Sequence, residues 1–312
     1  MTDFADKIKI LEEEVGKVIV GQENLKRDII VALLAGGHIL LEGAPGLAKT
    51  RTVSSFAEAL KLSFQRIQFT PDLLPSDLIW AKIYDPQAKE FEVKKWPIFA
   101  NFVLADEINR APSKVQSALL ESMEERQVTI GEETFKLDEP FMVLATQNPL
   151  EQEGTFHLPE AQLDRFLLKT IVEYPTPVQE KEILTQSLAR ETQKIGKIFG
   201  KKEITEFKKQ IDTIEVSESV YEYICRLIFA SRNQQKYPEI AYGWSPRASL
   251  ALLRTSKVLA GMQGRDYVIP EDVKAMAYGV LRHRIILNYE ALAEGVQADD
   301  MIERILDDVI ID

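Results

Sequence analysis

The sequence predicts an α/β fold in which a parallel sheet is followed by a helical domain. From Gly37 to Val172, short apolar runs alternate with amphipathic helical stretches, the pattern of a parallel sheet covered by helices. A glycine-rich turn joins the first apolar run to a helix, and the run YPTP at 174–177 ends the alternation. We therefore expect an α/β domain over residues 1–176 and an α-helical domain over residues 177–312.

Five runs in the first domain have strand length and are bounded by turn or polar residues. They are HILLE at 38–42, RIQFT at 66–70, NFVLAD at 101–106, FMVLAT at 141–146 and FLLKTIV at 166–172. Two further segments alternate apolar and polar side chains, which is typical of hairpins. The first, 80–96, turns near Asp85 and Pro86, and the second, 127–137, turns at Gly131. We expect both hairpins to be insertions into the core.

The region after residue 177 lacks a second glycine-rich loop and contains clear helical runs, for example at 218–232, 246–260 and 271–282. We interpret it as a lid. Residues 291–312 contain seven acids and one base. Their apolar residues are spaced for one helical face that packs on the lid: Ile302, Ile305, Leu306, Val309 and Ile310.

Composition excludes several classes of protein. The net charge of −11 and the pI near 5.0 disfavour binding to a nucleic-acid backbone. One cysteine and three histidines provide neither an internal disulfide nor a zinc spacing. The N-terminus is acidic and amphipathic, unlike a signal peptide, and the longest uncharged apolar run, 29–41, is shorter than the ~20 residues that span a bilayer. We expect a soluble, cytoplasmic protein.

The strongest motif is LLEGAPGLAKT, which places Gly43, Gly46, Lys49 and Thr50 between a strand and a helix. In this context the loop N–H groups and the helix N-terminus bind phosphates, the lysine contacts the outer phosphates, and the threonine hydroxyl ligates Mg²⁺. A glycine-rich turn without a ligand is the alternative. Ala48 stands where a third glycine is usual, so we expect it to have a negative φ.

Two carboxylates follow the apolar run at 102–105. Asp106 and Glu107 would lie at the sheet edge beside the loop, where Asp106 would hold Mg²⁺ and Glu107 would activate water as a general base. Asn148 follows the strand at 141–146 and could orient the γ-phosphate and the water; an Asx turn before Pro149 is the alternative. Arg165 and Arg247 are candidates for stabilising phosphoryl charge, although a lone arginine is usually a surface ion pair.

Taken together, these motifs resemble the MoxR-type AAA+ ATPases, of the helix-2-insert branch related to magnesium chelatase. The matching stretches are VIVGQENLKRDI, LLEGAPGLAKT, QFTPDLLPSDL, ADEINRAPSKVQSALLESMEERQVT, LATQNPLEQEGTFHLPEAQLDRF and YGWSPRAS. The resemblance implies a P-loop AAA+ core, with residues 71–100 as the helix-2 insert and 127–138 as the hairpin before sensor 1.

The resemblance also implies residue roles. Residues 43–50 would be Walker A, Asp106 and Glu107 Walker B, Asn148 sensor 1, Arg165 the arginine finger and Arg247 sensor 2. The catalytic set would be Lys49, Glu107, Asn148, Arg165 and Arg247. The residues that bind ATP or ADP would be Val20, Gly21, Gln22, Gly43, Ala44, Pro45, Gly46, Leu47, Ala48, Lys49, Thr50, Arg51, Asp106, Asn148 and Arg247, with Thr50 and Asp106 as the Mg²⁺ ligands.

The family architecture implies a homo-oligomeric ring, usually a hexamer, in which Arg165 reaches ATP on the neighbouring subunit. Whether Arg247 acts within its own subunit or across the interface stays open. Relatives act as chaperones that remodel partners or insert cofactors into them, often proteins with von Willebrand factor A domains. The alternatives are a nucleic-acid motor, a magnesium-chelatase-like motor subunit and an ATP sensor that does not hydrolyse ATP.

Overall fold

The computed structural model describes residues 2–85, 90–95, 97–130, 132–149, 154–188 and 194–311. The strands before residue 177 are β1 (Ile39–Glu42), β2 (Phe64–Gln68), β3 (Trp80–Asp85), β4 (Glu90–Lys95), β5 (Phe102–Asp106), β6 (Gln127–Ile130), β7 (Glu133–Lys136), β8 (Met142–Gln147) and β9 (Leu168–Ile171). Five of them form a parallel sheet in the order β2-β5-β8-β1-β9, and β3–β4 and β6–β7 pair as separate antiparallel hairpins. The predicted sheet and both hairpins are confirmed, although the predicted turn residues Pro86 and Gly131 lie outside the described residues.

The predicted limits of β2 were wrong by two residues. The strand begins at Phe64 and ends at Gln68, because Phe64–Gln68 pairs residue for residue with Phe102–Asp106 of β5. Phe69 continues past the strand, fully buried, and its N–H donates to the carbonyl of Asp106 at 2.8 Å. Pairing with the neighbouring strand, which local sequence does not encode, determines where this strand starts.

Helices cover both faces of the sheet. Before residue 177 they are α1 (Thr2–Gly16), α2 (Glu23–Ala35), α3 (Lys49–Ala59), α4 (Pro75–Ile79), α5 (Ser113–Glu125) and α6 (Glu160–Leu163). Side chains of β5 alternate between two buried clusters: Phe102 and Leu104 belong to the cluster that includes α1, α2 and α3, whereas Val103 and Ala105 belong to the cluster that includes α5. Burial on both faces explains why the central strands are continuous apolar runs.

The lid is mostly helical, as predicted. Its helices are α7 (Pro177–Leu188), α8 (Lys201–Asp212), α9 (Glu218–Ala230), α10 (Pro246–Met262), α11 (Pro270–Leu281), α12 (Tyr289–Ala293) and α13 (Ala298–Asp308). It also contains a small antiparallel sheet that the sequence did not predict, formed by β10 (Ile240–Tyr242) and β11 (Ile286–Leu287). These strands are too short to show a period, so only their pairing reveals them.

The C-terminal helix buries part of the predicted apolar face. Ile302 and Ile305 are fully buried, whereas Ile310 is 75% exposed, so its predicted place on that face was wrong. The helix ends at Asp308, and Val309 leaves the helical path with φ of −98° and ψ of 97°. Beyond that point the helical spacing no longer applies.

One buried cluster is continuous from the sheet into the lid. The N-terminal helix contributes to this continuity, because the ring of Phe4 packs 4.9 Å from that of Phe207 in α8. The domain limits 1–176 and 177–312 therefore stay a prediction, since no break in packing marks them. Within the described ranges, no helix is both long and apolar enough to cross a membrane.

Candidate active site

The glycine-rich loop lies between β1 and α3, as its spacing predicts. Gly43 follows β1 directly, and its N–H donates to the carbonyl of Gln147 at 3.3 Å. A Cβ atom at Gly43 would lie 2.7 Å from the carbonyl oxygen of Val172, so the close packing of two backbones requires glycine. Gly46 has φ of 86°, in the left-handed region that glycine adopts without strain.

The φ angle of Ala48 is positive, whereas the sequence predicted a negative value. The residue has φ of 56° and ψ of 18°, the left-handed conformation, and it directly precedes α3. The prediction was wrong because the loop keeps the backbone path for which glycine is usual even though a Cβ atom is present. This conformation costs about 1–2 kcal/mol for a residue with a side chain, and strain of this size is typical of functional loops.

Lys49 begins α3, and its side chain turns back over the loop. Its Nζ donates to the carbonyl of Gly43 at 2.8 Å. Burial lowers the pKa of Lys49, while the nearby carboxylates of Asp106 and Glu107 oppose that shift. The ammonium group therefore lies in the field of both predicted Walker B acids.

The two acids lie at the carboxyl end of β5. Asp106 ends the strand, and Glu107 follows in the left-handed conformation with φ of 57°. Thr146 of β8 connects them, because its hydroxyl donates to Asp106 Oδ1 at 2.6 Å and accepts the N–H of Glu107 at 2.8 Å. The parallel pairing of β5 with β8 brings Thr146 to this edge, where it orients both acids.

Two side chains of β2 belong to this site and were missed in the sequence. Arg66 pairs with Asp106 Oδ2 through Nη2 at 2.6 Å and Nε at 2.9 Å. Gln68 donates to Glu107 Oε2 at 2.8 Å. Ile67 between them is buried, so strand alternation already puts Arg66 and Gln68 on one face. Placing that face beside the acids requires the register of β2 against β5.

One cleft of about 380 Å³ at the carboxyl edge of the sheet contains the glycine-rich loop, both acids, Arg66 and Thr146. Its lining comprises Pro45, Gly46, Leu47, Ala48, Lys49, Thr50, Arg51, Arg66, Asp106, Glu107, Thr146 and Asn148. Asn148 follows β8 and is buried, and Gly43 and Ala44 are buried at the base of the loop. The expected Mg²⁺ ligands Thr50 and Asp106 therefore lie in the same cleft as Lys49.

The segment expected to bind adenine lines a different cleft, of about 200 Å³. Val20 and Gln22 form one wall, and the side-chain amide of Gln22 donates to the carbonyl of Glu173 at 3.0 Å. Gly21 has φ of 68°, and a Cβ atom there would lie 2.8 Å from the side chain of Gln179 at the start of the lid. This cleft therefore joins the N-terminal segment to the lid.

The structure separates Arg165 and Arg247 from the other predicted catalytic residues. Both line a third cavity, of about 330 Å³, between the sheet domain and the lid. There they share one carboxylate: Glu124 Oε2 lies 3.3 Å from Arg165 Nη2, and Oε1 lies 2.9 Å from Arg247 Nη2. Neither arginine lines the cleft that contains Lys49 and Glu107.

Comparisons with known proteins identify the family. The model of the ATPase family associated with various cellular activities (AAA) matches residues 38–168, and that of the AAA lid domain matches residues 233–305. Chaperone MoxR1 of Mycobacterium tuberculosis is 46% identical over 96% of this chain and 80% of its own length. The chain belongs to the MoxR family of AAA+ ATPases.

Structural comparison agrees with this membership. A crystal structure from Cytophaga hutchinsonii, of a protein provisionally named an ATPase, covers all of this MoxR-family chain with a TM-score of 0.95 at 50% identity, and the match spans 96% of that protein. A magnesium-chelatase subunit ChlI homolog from Methanocaldococcus jannaschii is more distant, at 26% identity over 86% of this chain and 84% of its own. The AAA match contains the phosphate loop, both acids, Asn148 and Arg165.

Proposed function

We propose that this MoxR-family ATPase hydrolyses ATP in a homo-oligomeric ring, at sites that two neighbouring copies complete together. The observation that carries the proposal is the separation of the predicted catalytic side chains into two groups. Lys49 and Glu107 line one cleft, whereas Arg165 and Arg247 line another and converge on Glu124. Since phosphoryl transfer recurrently uses an arginine at the transferred group, we infer that both arginines serve the neighbour's cleft.

The cleft at the phosphate loop fits the triphosphate of ATP. Loop N–H groups and the positive end of α3 favour anions, and Lys49 Nζ would exchange the Gly43 carbonyl for a phosphate oxygen. Thr50 and Asp106 offer the hydroxyl and carboxylate oxygens that Mg²⁺ prefers, and Mg²⁺ usually binds phosphates with only one or two protein ligands. Bound Mg²⁺ would neutralise charge on the outer phosphates.

Glu107 would act as the general base. One of its oxygens, Oε2, accepts from Gln68, and Arg110 Nε lies 3.2 Å from the same oxygen. The other oxygen would take the proton of the attacking water. Asn148 lines the same cleft, and its amide would orient that water against the γ-phosphate.

We place the adenine near Val20, Gly21 and Gln22. The cleft there is lined by apolar residues such as Ile171 and by polar residues such as Asn24, which suit the faces and edges of a purine. Because Gln179 of the lid lies on the same cleft, bound nucleotide would contact both domains. Lid position would then depend on the nucleotide state.

The ring follows from the shared site. An interface that places the arginine cavity of one copy against the phosphate loop of the next is heterologous, and such interfaces form a ring when the rotation between copies closes. We propose that it closes as a hexamer. We further propose that ATP turnover remodels a protein client or inserts a cofactor into it, through a separate protein with a von Willebrand factor A domain. The chaperone name of the Mycobacterium relative supports this role, and the net charge of −11 disfavours a nucleic-acid track.

A concentration series tests the shared site. Phosphate release is measured for wild type, Arg165→Ala and Arg247→Ala, and we expect specific activity to climb with concentration in wild type but not in these two variants. Arg304→Ala is the matched control, because Arg304 forms an exposed ion pair with Glu239 at 2.8 Å in α13, away from the three clefts. Equal, concentration-independent rates in wild type and both variants would mean that each subunit works alone.

A further inference from the structure

Three consecutive lid residues, Arg282, His283 and Arg284, hold the backbone of the segment that carries Arg165. The segment, residues 164–169, runs from the end of α6 into β9. We propose that this run is a positioning element, through which the lid sets the place of the arginine that a subunit offers to its neighbour. The inference rests on the proposed action of Arg165 across the subunit interface.

Arg284 supplies most of these contacts. Its Nε donates to Asp164 Oδ1 at 2.8 Å, and its Nη2 donates to the carbonyls of Asp164 at 3.2 Å and Phe166 at 2.6 Å. Its Nη1 donates to the carbonyl of Leu167 at 3.1 Å and also contacts the carbonyl of Val280. The bonded residues thus lie on both sides of Arg165, and one guanidinium connects the backbone there to the lid.

The two preceding residues, His283 and Arg282, add contacts to the same segment. His283 Nε2 lies 2.9 Å from the carbonyl of Phe166, and Arg282 Nη1 lies 3.4 Å from that of Lys169. Arg282 is itself held by Asp299 of α13, with Nη2 2.8 Å from Oδ2. The segment is therefore connected through the lid to its last helix.

The contacts are shielded from solvent. The side chain of Arg284 is only 3% exposed, and His283 is also buried. The N–H donors of a buried arginine need hydrogen-bond acceptors. Here the acceptors are a carboxylate and backbone carbonyls of the segment 164–169. Moving the lid without this segment would leave those buried donors unpaired, which is unfavourable for neutral partners and more so for the charged one. Because the sheet holds the other end of the segment, where Leu168 pairs with Ile39 of β1, the position of the lid should affect mainly the backbone around Arg165.

Asp164 extends the connection to the second arginine. Its Oδ2 accepts the hydroxyl of Ser245 at 3.3 Å and lies 4.0 Å from Arg247 Nε, while Oδ1 is occupied by Arg284. Ser245 directly precedes α10, which carries Arg247 in its first turn. The core arginine and the lid arginine are thus held in one network and are presented to the neighbouring copy together.

Loss of the positioning element should reduce catalysis while leaving nucleotide binding intact. Displacement of a catalytic group by about 1 Å lowers rates by roughly 100-fold. Nucleotide binding should persist, because none of Arg282, His283 and Arg284 lines the cleft at the phosphate loop. For Arg284→Gln we expect kcat to fall by about 10- to 100-fold, with KM for ATP changed by less than about twofold. Arg284→Lys keeps the charge but lacks the planar fork, so we expect an intermediate rate.

A mixing experiment separates this role from a general loss of structure. Arg284→Gln is combined with Lys49→Ala. The Lys49→Ala subunits have a correctly positioned Arg165 but lack the phosphate-binding lysine. We expect several-fold more phosphate release from the mixture than from the two proteins measured separately. Arg265→Gln is the matched control, because Arg265 makes a comparable ion pair within the lid, with Asp272 at 2.6 Å. Its partners are Asp272, Gln263 and Tyr267, and none of them lies in the segment 164–169. We expect near wild-type kcat for it.

A mixture of Arg165→Ala with Lys49→Ala serves as the reference. Comparison with it distinguishes failure of the positioning role from failure of the shared site. If the reference mixture is rescued but Arg284→Gln is fully active by itself, the positioning role is overturned and the shared site stands. The same conclusion follows if the reference mixture is rescued but an inactive Arg284→Gln is not. If the reference mixture is not rescued, the shared site fails and the positioning role fails with it. Rescue of both mixtures supports the proposal.

Discussion

The side-chain amide of Gln68 donates to Glu107 Oε2 at 2.8 Å, which links the proposed base to the adjacent strand. Glu107 itself has a left-handed backbone, so its carboxylate leaves the sheet in an unusual direction. The Gln68 contact, together with Arg110 Nε at 3.2 Å, stabilises that direction. Base geometry in this site therefore depends on residues outside the Walker motifs.

Replacement of Gln68 by alanine should lower kcat by about 3- to 10-fold, corresponding to the roughly 1 kcal/mol net contribution of a typical hydrogen bond, because this bond is exposed to solvent. KM for ATP should change little, since Gln68 is not part of the phosphate loop. Gln65→Ala is the control, because Gln65 is an exposed residue of the same strand. A faster Gln68→Ala enzyme would show that Gln68 restrains the base.

Glu107→Gln should retain ATP binding and lose turnover, because the amide keeps the shape of the side chain but cannot accept a proton. Lys49→Ala should instead lose nucleotide affinity, because it removes the ammonium group from the phosphate cleft. Equilibrium binding of a fluorescent ATP analogue and phosphate release separate the two effects. Equal phosphate release by wild type and Glu107→Gln would remove Glu107 from the role of base.

Arg66→Ala should reduce the Mg²⁺ concentration needed for half-maximal activity. Arg66 Nη2 lies 2.6 Å from Asp106 Oδ2 and therefore competes with a cation for that carboxylate. Because the arginine is half exposed, the pair is worth at most about 1 kcal/mol, or roughly a fivefold shift. The measurement is a Mg²⁺ titration of ATPase activity. Lys201→Ala, which removes an exposed ion pair with Asp138, should leave the titration unchanged, and an increased Mg²⁺ requirement in Arg66→Ala would contradict the competition.

Ala48→Gly should stabilise the nucleotide-free protein. Relief of the left-handed strain exceeds the extra backbone entropy of glycine by roughly 0.5–1 kcal/mol, which raises Tm by about 1–2 °C in a chain of this size. Ala57→Gly, in the interior of the same helix, should destabilise by about 1 kcal/mol or more. Thermal unfolding without nucleotide measures both, and a lower Tm for Ala48→Gly would mean that the loop needs the methyl group.

Acid should destabilise the fold partly through His38. Burial lowers the pKa of His38 to about 4, and its ring bonds the carbonyl of Met123 and the N–H of Val143. The unfolded state, with its pKa near 6.5, binds more protons below that pH, so stability falls as pH drops from 6.5 toward 4. Between pH 7 and pH 5 we expect about 2 kcal/mol from this residue.

Denaturant unfolding at pH 7 and pH 5 measures that contribution. His38→Gln should be less stable at pH 7 but lose about 2 kcal/mol less than wild type on acidification. The other buried histidine, His283, stays in both proteins and cancels in the comparison. His157→Gln, at an exposed loop position, should keep the wild-type pH dependence. An unchanged pH dependence in His38→Gln would contradict the assigned cause.

Local sequence predicted the parts of this protein whose physics is local. A Gly-rich turn between a strand and a helix, and apolar runs ending in acids or in Asn148, are each encoded within about ten residues. The sheet, the place of the Gly-rich loop between β1 and α3, and the place of Asp106 and Glu107 at the end of β5 were therefore predictable. The side chains of β2 were not, because Arg66 and Gln68 reach the acids only through the register with β5. The backbone of Ala48 was not either, because its conformation is imposed by the loop around it.

Sequence alone indicates the family, the order of elements and the residues that meet at the carboxyl edge of the sheet, since parallel strands bring their ends together. Tertiary structure decided which predicted residues share a cleft. Arg165 and Arg247 are separated by 82 positions in the chain, yet the lid packs so that both contact Glu124, away from the phosphate loop. Burial of the apolar surfaces of sheet and lid determines that arrangement, and it is a property of the assembled core that no short segment encodes.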